Sequence, residues 1–454
     1  MNIIVVGGGK IGKTIIASLV SEGHDVVVLE DNPSVLDEIT NIYDIMGVRG
    51  NGADCETLEE AGVDKAEMFV AVTGSDELNM LSCFMAKKMG AKHTIARIRN
   101  PEYNEHSLGF MRQQLNLSMS INPELLVAQE LFNILKLPSA VKIEYFSGRN
   151  FEMVELRLKK DSVLSGTKLS ELHSKYKTKV LVCAVQRGNE VYIPDGNFVL
   201  ESGDKISITA TPTEIHKLLR SLGVMQKQAK NIMILGGSKT AYYLAKMLTA
   251  TGNNVKIIEQ NRSRCRRLCE DLPKAVVING DGAQQELLLE EGLRSMDAFV
   301  ALTGMDEENI LISIFAASQN VSKVISKVNR NELAKMAVNL GLDCIVSPRE
   351  ITSDIIVRYA RALKNSMGSN VETLYKILDG QAEALEFKVR AESKKIVSQP
   401  LKFLHLKKNT LIAGIIRGRK TFVPSGEDMI LPGDKVIVLS SNEQRLHDLS
   451  DILK

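Results

Sequence analysis

The sequence predicts an α/β protein: two tandem Rossmann-like domains, each a doubly wound parallel sheet, and each followed by a small α+β module. Three observations carry this expectation. Short β-branched runs alternate with helical patterns, the grammar of a parallel sheet with helices on both faces. A glycine-rich turn, Gly7-x-Gly9-x-x-Gly12, joins the first run to the first helical pattern. Separated landmarks also recur at a near-constant offset of about 230 residues, which marks a doubled unit. IIVVGG ending at Gly8 returns as IMILGG ending at Gly237, and Glu30 returns as Glu259. Thr73-Gly74-Ser75-Asp76-Glu77 returns as Thr303-Gly304-Met305-Asp306-Glu307. Arg187-Gly188, Pro194-x-Gly196 and Gly203-Asp204 return as Arg417-Gly418, Pro424-x-Gly426 and Gly433-Asp434.

In the first copy, strands are expected at about 2–6, 25–30, 46–49, 67–72 and 94–98, with helices opening after Gly12 and at Ser75. Asn122-Pro123 starts a further helix (PELLVAQELFNILK) that ends before Pro138, proline being tolerated in the first turn. Asn331 and Pro348 open the matching stretch of the second copy. Residues 143–210 then change grammar. Alternating runs (FEMVELRL, KVLVCAV, EVYIP, KISITA) are separated by turns such as Arg187-Gly188-Asn189 and Asp195-Gly196-Asn197. This is an antiparallel module closed by a helix at about 212–222, and 383–452 repeat it. The expected division is 1–138, 139–226, 227–368 and 369–454, four modules packed together because no low-complexity linker separates them.

Composition sets limits. The 454 residues carry 57 Lys+Arg against 55 Asp+Glu, 44% apolar residues and 25% charged ones. That is a globular composition, and a net charge of +2 gives no basic excess for nucleic acid. No apolar run approaches a bilayer's thickness, and no secretory pattern precedes the first strand. The six cysteines show no CxxC and no histidine at ligand spacing, which reads as inert thiols in a reducing, cytosolic setting without a metal site.

The glycine turn carries the chemistry. Gly7 permits a tight turn, Gly9 lets the backbone approach a pyrophosphate, and Gly12 lets helix and strand pack closely, with free helix amides facing the phosphates. Glu30 ends the second strand about 18 residues past Gly12, near the spacing of the acid that binds a ribose 2′-hydroxyl. It would repel a 2′-phosphate, so NAD is favoured over NADP. The second copy keeps Gly236, Gly237 and Glu259 but has Ser238 and Ala241 for the later glycines. Asn261 to Arg267 holds four arginines, either a phosphate grip or a solvated helix face. Thr73-Gly74 sits at the carboxyl end of the fourth strand, where ligands bind in open sheets; Asp76 and Glu77 suit the following helix start. Arg97 reads equally as a phosphate contact or a structural ion pair. No acid–base constellation accompanies these residues. Tyr242-x-x-x-Lys246 imitates a dehydrogenase couple, but on the helix next to the altered glycine loop rather than across the sheet. A nucleotide site without chemistry beside it points to sensing, with a soluble NAD-dependent oxidoreductase as the alternative and a nucleotide-sensing transcription regulator as a further rival.

VVGGGKIG, Glu30, the NGAD/GDGA turns, VAVTGSDELN/VALTGMDEEN and IARIRNPEY together resemble the TrkA-type peripheral subunits of Trk potassium uptake systems over essentially the whole chain. The tandem modules are of the RCK, or KTN, kind. The resemblance implies no enzyme but a regulatory subunit on the cytoplasmic face of a Trk-type potassium-translocating membrane subunit, assembled as a homo-oligomeric ring. It carries NAD contacts over to Gly7, Gly8, Gly9, Lys10, Ile11, Gly12, Glu30, Thr73, Gly74 and Arg97. In the second copy Gly236, Gly237, Ser238, Lys239, Thr240, Glu259, Thr303 and Gly304 hold the matching positions. NAD or NADH is the expected cofactor, with ATP or ADP as further candidates at one or both copies. Helices at about 123–137 and 349–365, linking to neighbours, are the expected levers.

Overall fold

The computed structural model describes residues 1–454 except 102, 104, 138, 147–150, 160–161, 189, 224–227, 367–370, 379, 391–395, 442–445 and 447. Glu102, Pro138 and Asn189, named above, lie outside the described residues, as do the expected domain junctions at 226–227 and 368–369.

The first unit alternates strand and helix: β1 (Asn2–Val6), α1 (Lys10–Ser21), β2 (Asp25–Glu30), α2 (Pro33–Tyr43), β3 (Met46–Arg49) and α3 (Cys55–Glu60). It continues through β4 (Met68–Ala71), α4 (Asp76–Lys88), β5 (His93–Arg97), α5 (Glu105–Gln114), β6 (Met119–Ile121) and α6 (Pro123–Lys136). The strands form one parallel sheet in the order β3-β2-β1-β4-β5-β6. NIIVV makes β1 a central strand because Ile3 to Val6 are apolar on both faces and all buried, as a sheet covered on two sides requires. Local signals set the helix starts. Asn32 caps α2 by accepting from Ser34 N at 3.0 Å, with Pro33 in the first turn. Asn122 caps α6 by accepting from Leu125 N at 3.0 Å, with Pro123 next.

The first small module holds β7 (Lys142–Phe146), β8 (Phe151–Arg157), α7 (Leu169–Tyr176), β9 (Leu181–Arg187), β10 (Glu190–Tyr192), β11 (Lys205–Ala210) and α8 (Pro212–Ser221). Its antiparallel sheet runs β10-β9-β11-β8-β7. The second large unit repeats the first with β12 (Asn231–Leu235), α9 (Lys239–Ala250), β13 (Asn254–Glu259), α10 (Arg262–Asp271), β14 (Val276–Asn279) and α11 (Gln285–Glu290). Then come β15 (Ala298–Ala301), α12 (Asp306–Ser318), β16 (Lys323–Lys327), α13 (Asn331–Asn339), β17 (Ile345–Val346) and α14 (Pro348–Ser366). Its sheet order, β14-β13-β12-β15-β16-β17, is that of the first. The second small module has β18 (Val371–Ile377), β19 (Ala382–Lys388), β20 (Thr410–Arg417), β21 (Lys420–Phe422) and β22 (Lys435–Ser441), ordered β18-β19-β22-β20-β21.

The two copies exchange helices. Val127, Ala128, Leu131, Ile134 and Leu135 of α6 are buried in the core of the second sheet, against Ile232, Leu244 and Val300. In return Ile356, Val357 and Ala360 of α14 are buried against Ile3, Val5 and Val70 of the first sheet. These are the helices expected to link to neighbours, and within the chain the neighbour is the other copy. The small modules also pack face to face, sharing a core in which Phe146, Phe151 and Met153 meet Ile377, Ala384 and Leu439. Gly414 is needed there, since a Cβ on it would stand 2.5 Å from the Phe151 ring. No helix of the described residues is long and apolar enough to cross a membrane.

Candidate nucleotide-binding cleft

The order β3-β2-β1-β4 reverses the direction of winding between β1 and β4, and a crevice opens outside their carboxyl ends. The loop after β1 brings Gly7 there with φ of +99°, a left-handed conformation that suits glycine. A Cβ on Gly7 would also stand 3.0 Å from Thr73 N of the loop after β4, so the two loops touch. Gly8 lies under Ile39 and Val35 of α2, and a Cβ there would meet Ile39 Cδ1 at 2.6 Å. A Cβ on Gly12 would meet Gly7 O at 1.9 Å, whereas one on Gly9 meets no atom within 4 Å. Gly9 therefore faces open space, and α1 starts on it with no side chain capping its first amides. Those amides are available to an anion.

Glu30 ends β2 beside this loop. Its Oε2 accepts from Gly8 N at 2.5 Å and its Oε1 from Asn32 N at 3.0 Å, which fixes the carboxylate at the crevice wall with lone pairs left for hydroxyls. Thr73 is held by buried Asn79, whose Oδ1 accepts from Thr73 N at 2.8 Å and Thr73 Oγ1 at 2.7 Å. Asn79 Nδ2 in turn donates to Arg97 O at 2.9 Å, tying the loop to β5. Ser75, not the acids, caps α4. Asp76 instead accepts from Arg99 N and Asn100 N, both at 2.8 Å, and anchors the loop after β5. Arg97 lies 3.8 Å from Glu124 of α6, so its ion pair and its place in the cleft coexist.

The resulting cleft has a volume of about 820 Å³ and is lined from both copies. Of the residues expected in the first site, Gly7, Gly9, Lys10, Ile11, Glu30, Thr73, Gly74 and Arg97 line it; Gly8 and Gly12 shape the loop from behind. The far wall is Ser238, Lys239 and Thr240 at the start of α9, with Lys327, Asn329, Pro348 and Arg349. Burial, assisted by Arg99, draws the Arg97 guanidinium below its ordinary value against the pull of Glu124 and Asp76. Burial does the same to the Lys327 ammonium, opposed by Asp306 and Glu124. Two desolvated cations in the lining of one cleft suit a phosphate.

The second glycine loop makes a smaller pocket of about 290 Å³, lined by Gly236, Gly237, Ser238, Glu259, Thr303 and Gly304 among others. The expectation grouped Lys239 and Thr240 with this pocket. The structure turns both into the first cleft, because α9 begins at the boundary between the two units. Ser238 Oγ accepts from Ala241 N at 3.3 Å, so this helix start is capped by its own chain. Glu259 is buried and accepts from Gly237 N at 2.7 Å, Asn261 N at 2.6 Å and Arg264 Nη1 at 3.2 Å. Arg264 thus spends its charge on Glu259. Tyr242 packs with α6 at the exchanged-helix core, and Lys246 lies over its ring at 5.7 Å.

Sequence reasoning missed Lys327, Arg349 and Asn79. The repeat held the signal for Lys327, which takes the place of Arg97 in the second copy, and for Asn79, which recurs as Asn309 holding Thr303 in the same way. Arg349 follows Pro348 as Glu124 follows Pro123, but nothing local shows that α14 starts at the other copy's site.

Comparison with known proteins supplies the context. The TrkA-N domain family matches residues 3–111 and 232–348, and the TrkA-C domain family matches 153–223 and 384–454. A Trk system potassium uptake protein TrkA homolog of Archaeoglobus fulgidus is 32% identical over 446 residues, 97% of each chain. Homolog 1 of Methanosarcina mazei is 33% identical over 448 residues, again 97% of each chain. Trk system potassium uptake protein TrkA of Haemophilus influenzae is 28% identical over 459 residues, covering 100% of this chain and 99% of its own. Among solved structures, the GsuK channel bound to NAD superposes with a TM-score of 0.62 at 17% identity, over 97% of this chain and 77% of that one. The GsuK RCK domain gives 0.62 at 16%, over 97% and 92%. At such identities these structures speak for the fold.

Proposed function

The chain belongs to the TrkA family of Trk system potassium uptake proteins, and from that premise we propose that it is a nucleotide-binding regulatory subunit that gates a Trk-type potassium-translocating membrane partner. The observation that carries the mechanism is the shared cleft. The glycine loop, Glu30 and Thr73 come from one copy, while Lys239, Lys327 and Arg349 come from the other. A dinucleotide fits this set. The free amides at Gly9 and the cations take the pyrophosphate, and Glu30 takes the ribose hydroxyls. NAD or NADH is the proposed ligand, with ATP or ADP competing for the same phosphate-binding wall.

A phosphate held between the copies changes the angle between them, since each contributes charge to one ligand. α6 and α14 start at this cleft and run on to the small modules, so the angle is passed along two rods. A nucleotide then moves the partner only through its differential affinity for the two arrangements. The groups lining the cleft are backbone loops, cations, and carboxylates of which Glu30 is fixed by the loop amides and Glu124 is paired with Arg97, which supports binding rather than catalysis. Leu81, Phe110, Leu311, Met336 and Leu340 are exposed on or beside α4, α5, α12 and α13, equivalent helices of the two copies, and they support assembly of further copies into a ring.

The test pairs equilibrium titration of the full chain with NAD, NADH, ATP and ADP with potassium flux through vesicles holding the membrane partner. Binding that alters flux is the expected result. Tight binding that leaves flux unchanged would refute gating, and turnover of NADH with a small substrate would favour an oxidoreductase.

A further inference from the structure

A second cleft, of about 580 Å³, lies away from both glycine loops, where the first small module meets the second large unit. Its walls are the end of β8, the segment after α6, the start of β16 and the segment before β17. The volume lies within the range of small-molecule sites, which favour such domain junctions.

Its charges are unbalanced. Among the described residues, Arg157, Lys159 and Lys323 line it against one acid, Asp343. Arg157 Nε lies 2.8 Å from Asp343 Oδ1, which accounts for that pair. Lys323 is the informative residue. It is only 7% exposed, and its Nζ donates to Ala140 O at 2.6 Å. No carboxylate lies within ion-pair distance of it among the described residues. An ammonium has three donors, and a buried charge held by one neutral acceptor is costly unless an anion completes its shell.

The internal repeat supplies a control. Lys323 pairs with Ala298 as His93 pairs with Met68, so the two occupy equivalent places. Around His93 the site is filled: the Tyr359 ring of α14 packs edge-on at 6.1 Å, and its hydroxyl lies 3.3 Å from His93 Nδ1. The residue of α6 matching Tyr359 is Ile134, which is turned into the apolar core. Asp343 likewise stands where the first copy has Ser118. The buried cation and the space beside it therefore belong to one junction of the molecule.

We propose that this cleft binds a small phosphate-bearing anion, with Lys323 as its buried anchor and Lys159 at its mouth. Arg157, Lys159 and Lys323 against Asp343 leave an excess of positive charge that suits a dianion. Bound there, the anion fastens the first small module to the second large unit. The inference is independent of what occupies the glycine loops.

The experiment is calorimetric titration of the full chain with inorganic phosphate and with glycerol 3-phosphate, each with and without saturating NAD. The expected result is saturable binding, with Kd below about 1 mM, that persists in NAD. It should weaken at least about tenfold in Lys323→Gln, the loss of one charge-assisted hydrogen bond. Tighter binding of the ester identifies an organic phosphate, and equal binding identifies free phosphate; both support the site. Lys323→His, which copies the first half of the molecule, is the second variant should Lys323→Gln unfold, and it should weaken binding likewise. Absence of saturable binding, binding that NAD abolishes, or binding unchanged in the Lys323 variant overturns the proposal.

Discussion

Replacing Arg361 by Met should expose how the first glycine loop's helix is tied to the rest of the molecule. Arg361 on α14 donates through Nε and Nη2 to the two oxygens of Glu22, each at 2.6 Å, just past the end of α1. It also reaches Glu383 of β19 at 3.2 and 3.4 Å. The three side chains are 19%, 18% and 7% exposed. Burial alone would push the Glu22 carboxyl up, but the Arg361 hydrogen bonds and charge outweigh it and hold it below the ordinary value. Removing one partner of a buried ionic group costs about 3–5 kcal/mol because the orphaned charges stay behind. For 454 residues the unfolding entropy is about 1 kcal/mol per degree, so the melting midpoint should fall by about 3–5 °C at pH 8. The sign with pH is diagnostic. In the natural protein Glu22 binds protons less readily folded than unfolded, so its contribution is present above the unfolded value and is lost as pH falls through the folded one. In Arg361→Met, the burial that pushes the Glu22 carboxyl up loses its main opponent, so the deficit is largest at pH 8 and shrinks toward pH 5 as Glu22 protonates. Adding Glu383→Gln should recover part of the loss. Thermal unfolding at both pH values decides it: a deficit under about 1 kcal/mol, or one equal at pH 8 and pH 5, would refute the reasoning.

Three further outcomes are expected. Gly8→Val forces a side chain into Ile39 and toward Glu30 Oε2, so NAD affinity measured by titration should fall at least about tenfold while circular dichroism stays native. Lys239→Ala, though in the second copy, should weaken nucleotide binding at the first cleft by about tenfold; no change would mean that α9 stands clear of the ligand. His24 is buried among Met1, Lys364, Arg361 and Glu22, and neither ring nitrogen has a hydrogen-bond partner among the described residues. Burial, with the cations adding, pulls it down to about 4, so the unfolded chain binds the extra proton between that value and 6.5. Stability should therefore drop by about 2–3 kcal/mol from pH 6.5 to pH 4, and His24→Phe should flatten that slope in denaturant titrations.

Much of the fold is legible because its signals are local. Four consecutive β-branched residues mark β1, and the spacing from Gly12 to Glu30 marks the nucleotide wall without any tertiary knowledge. β6 escapes because three residues, Met119 to Ile121, carry no period, and α7 escapes because its apolar face shows only Leu172 buried. The exchange of α6 and α14 escapes for a different reason. PELLVAQELFNILK announces an apolar face, yet either sheet of a doubled chain offers it a matching surface. The same ambiguity hid Lys239 and Arg349, whose helices begin in one copy and face the other. Ser238, which stands where the first copy has Gly9, caps its own helix and leaves the first loop as the one with open amides.

The exchanged helices also set a timetable for synthesis. The apolar face formed by Ile3, Val5 and Val70 waits for Ile356 and Val357, more than about two hundred residues downstream of α6. At roughly 5–20 residues per second, a nascent chain carries that face uncovered for about 10–40 seconds. A chain broken off after the first unit could never cover it. Such a fragment would leave the ribosome as a client for chaperones or a seed for aggregates, so the doubled gene product is a unit of biogenesis as well as of regulation.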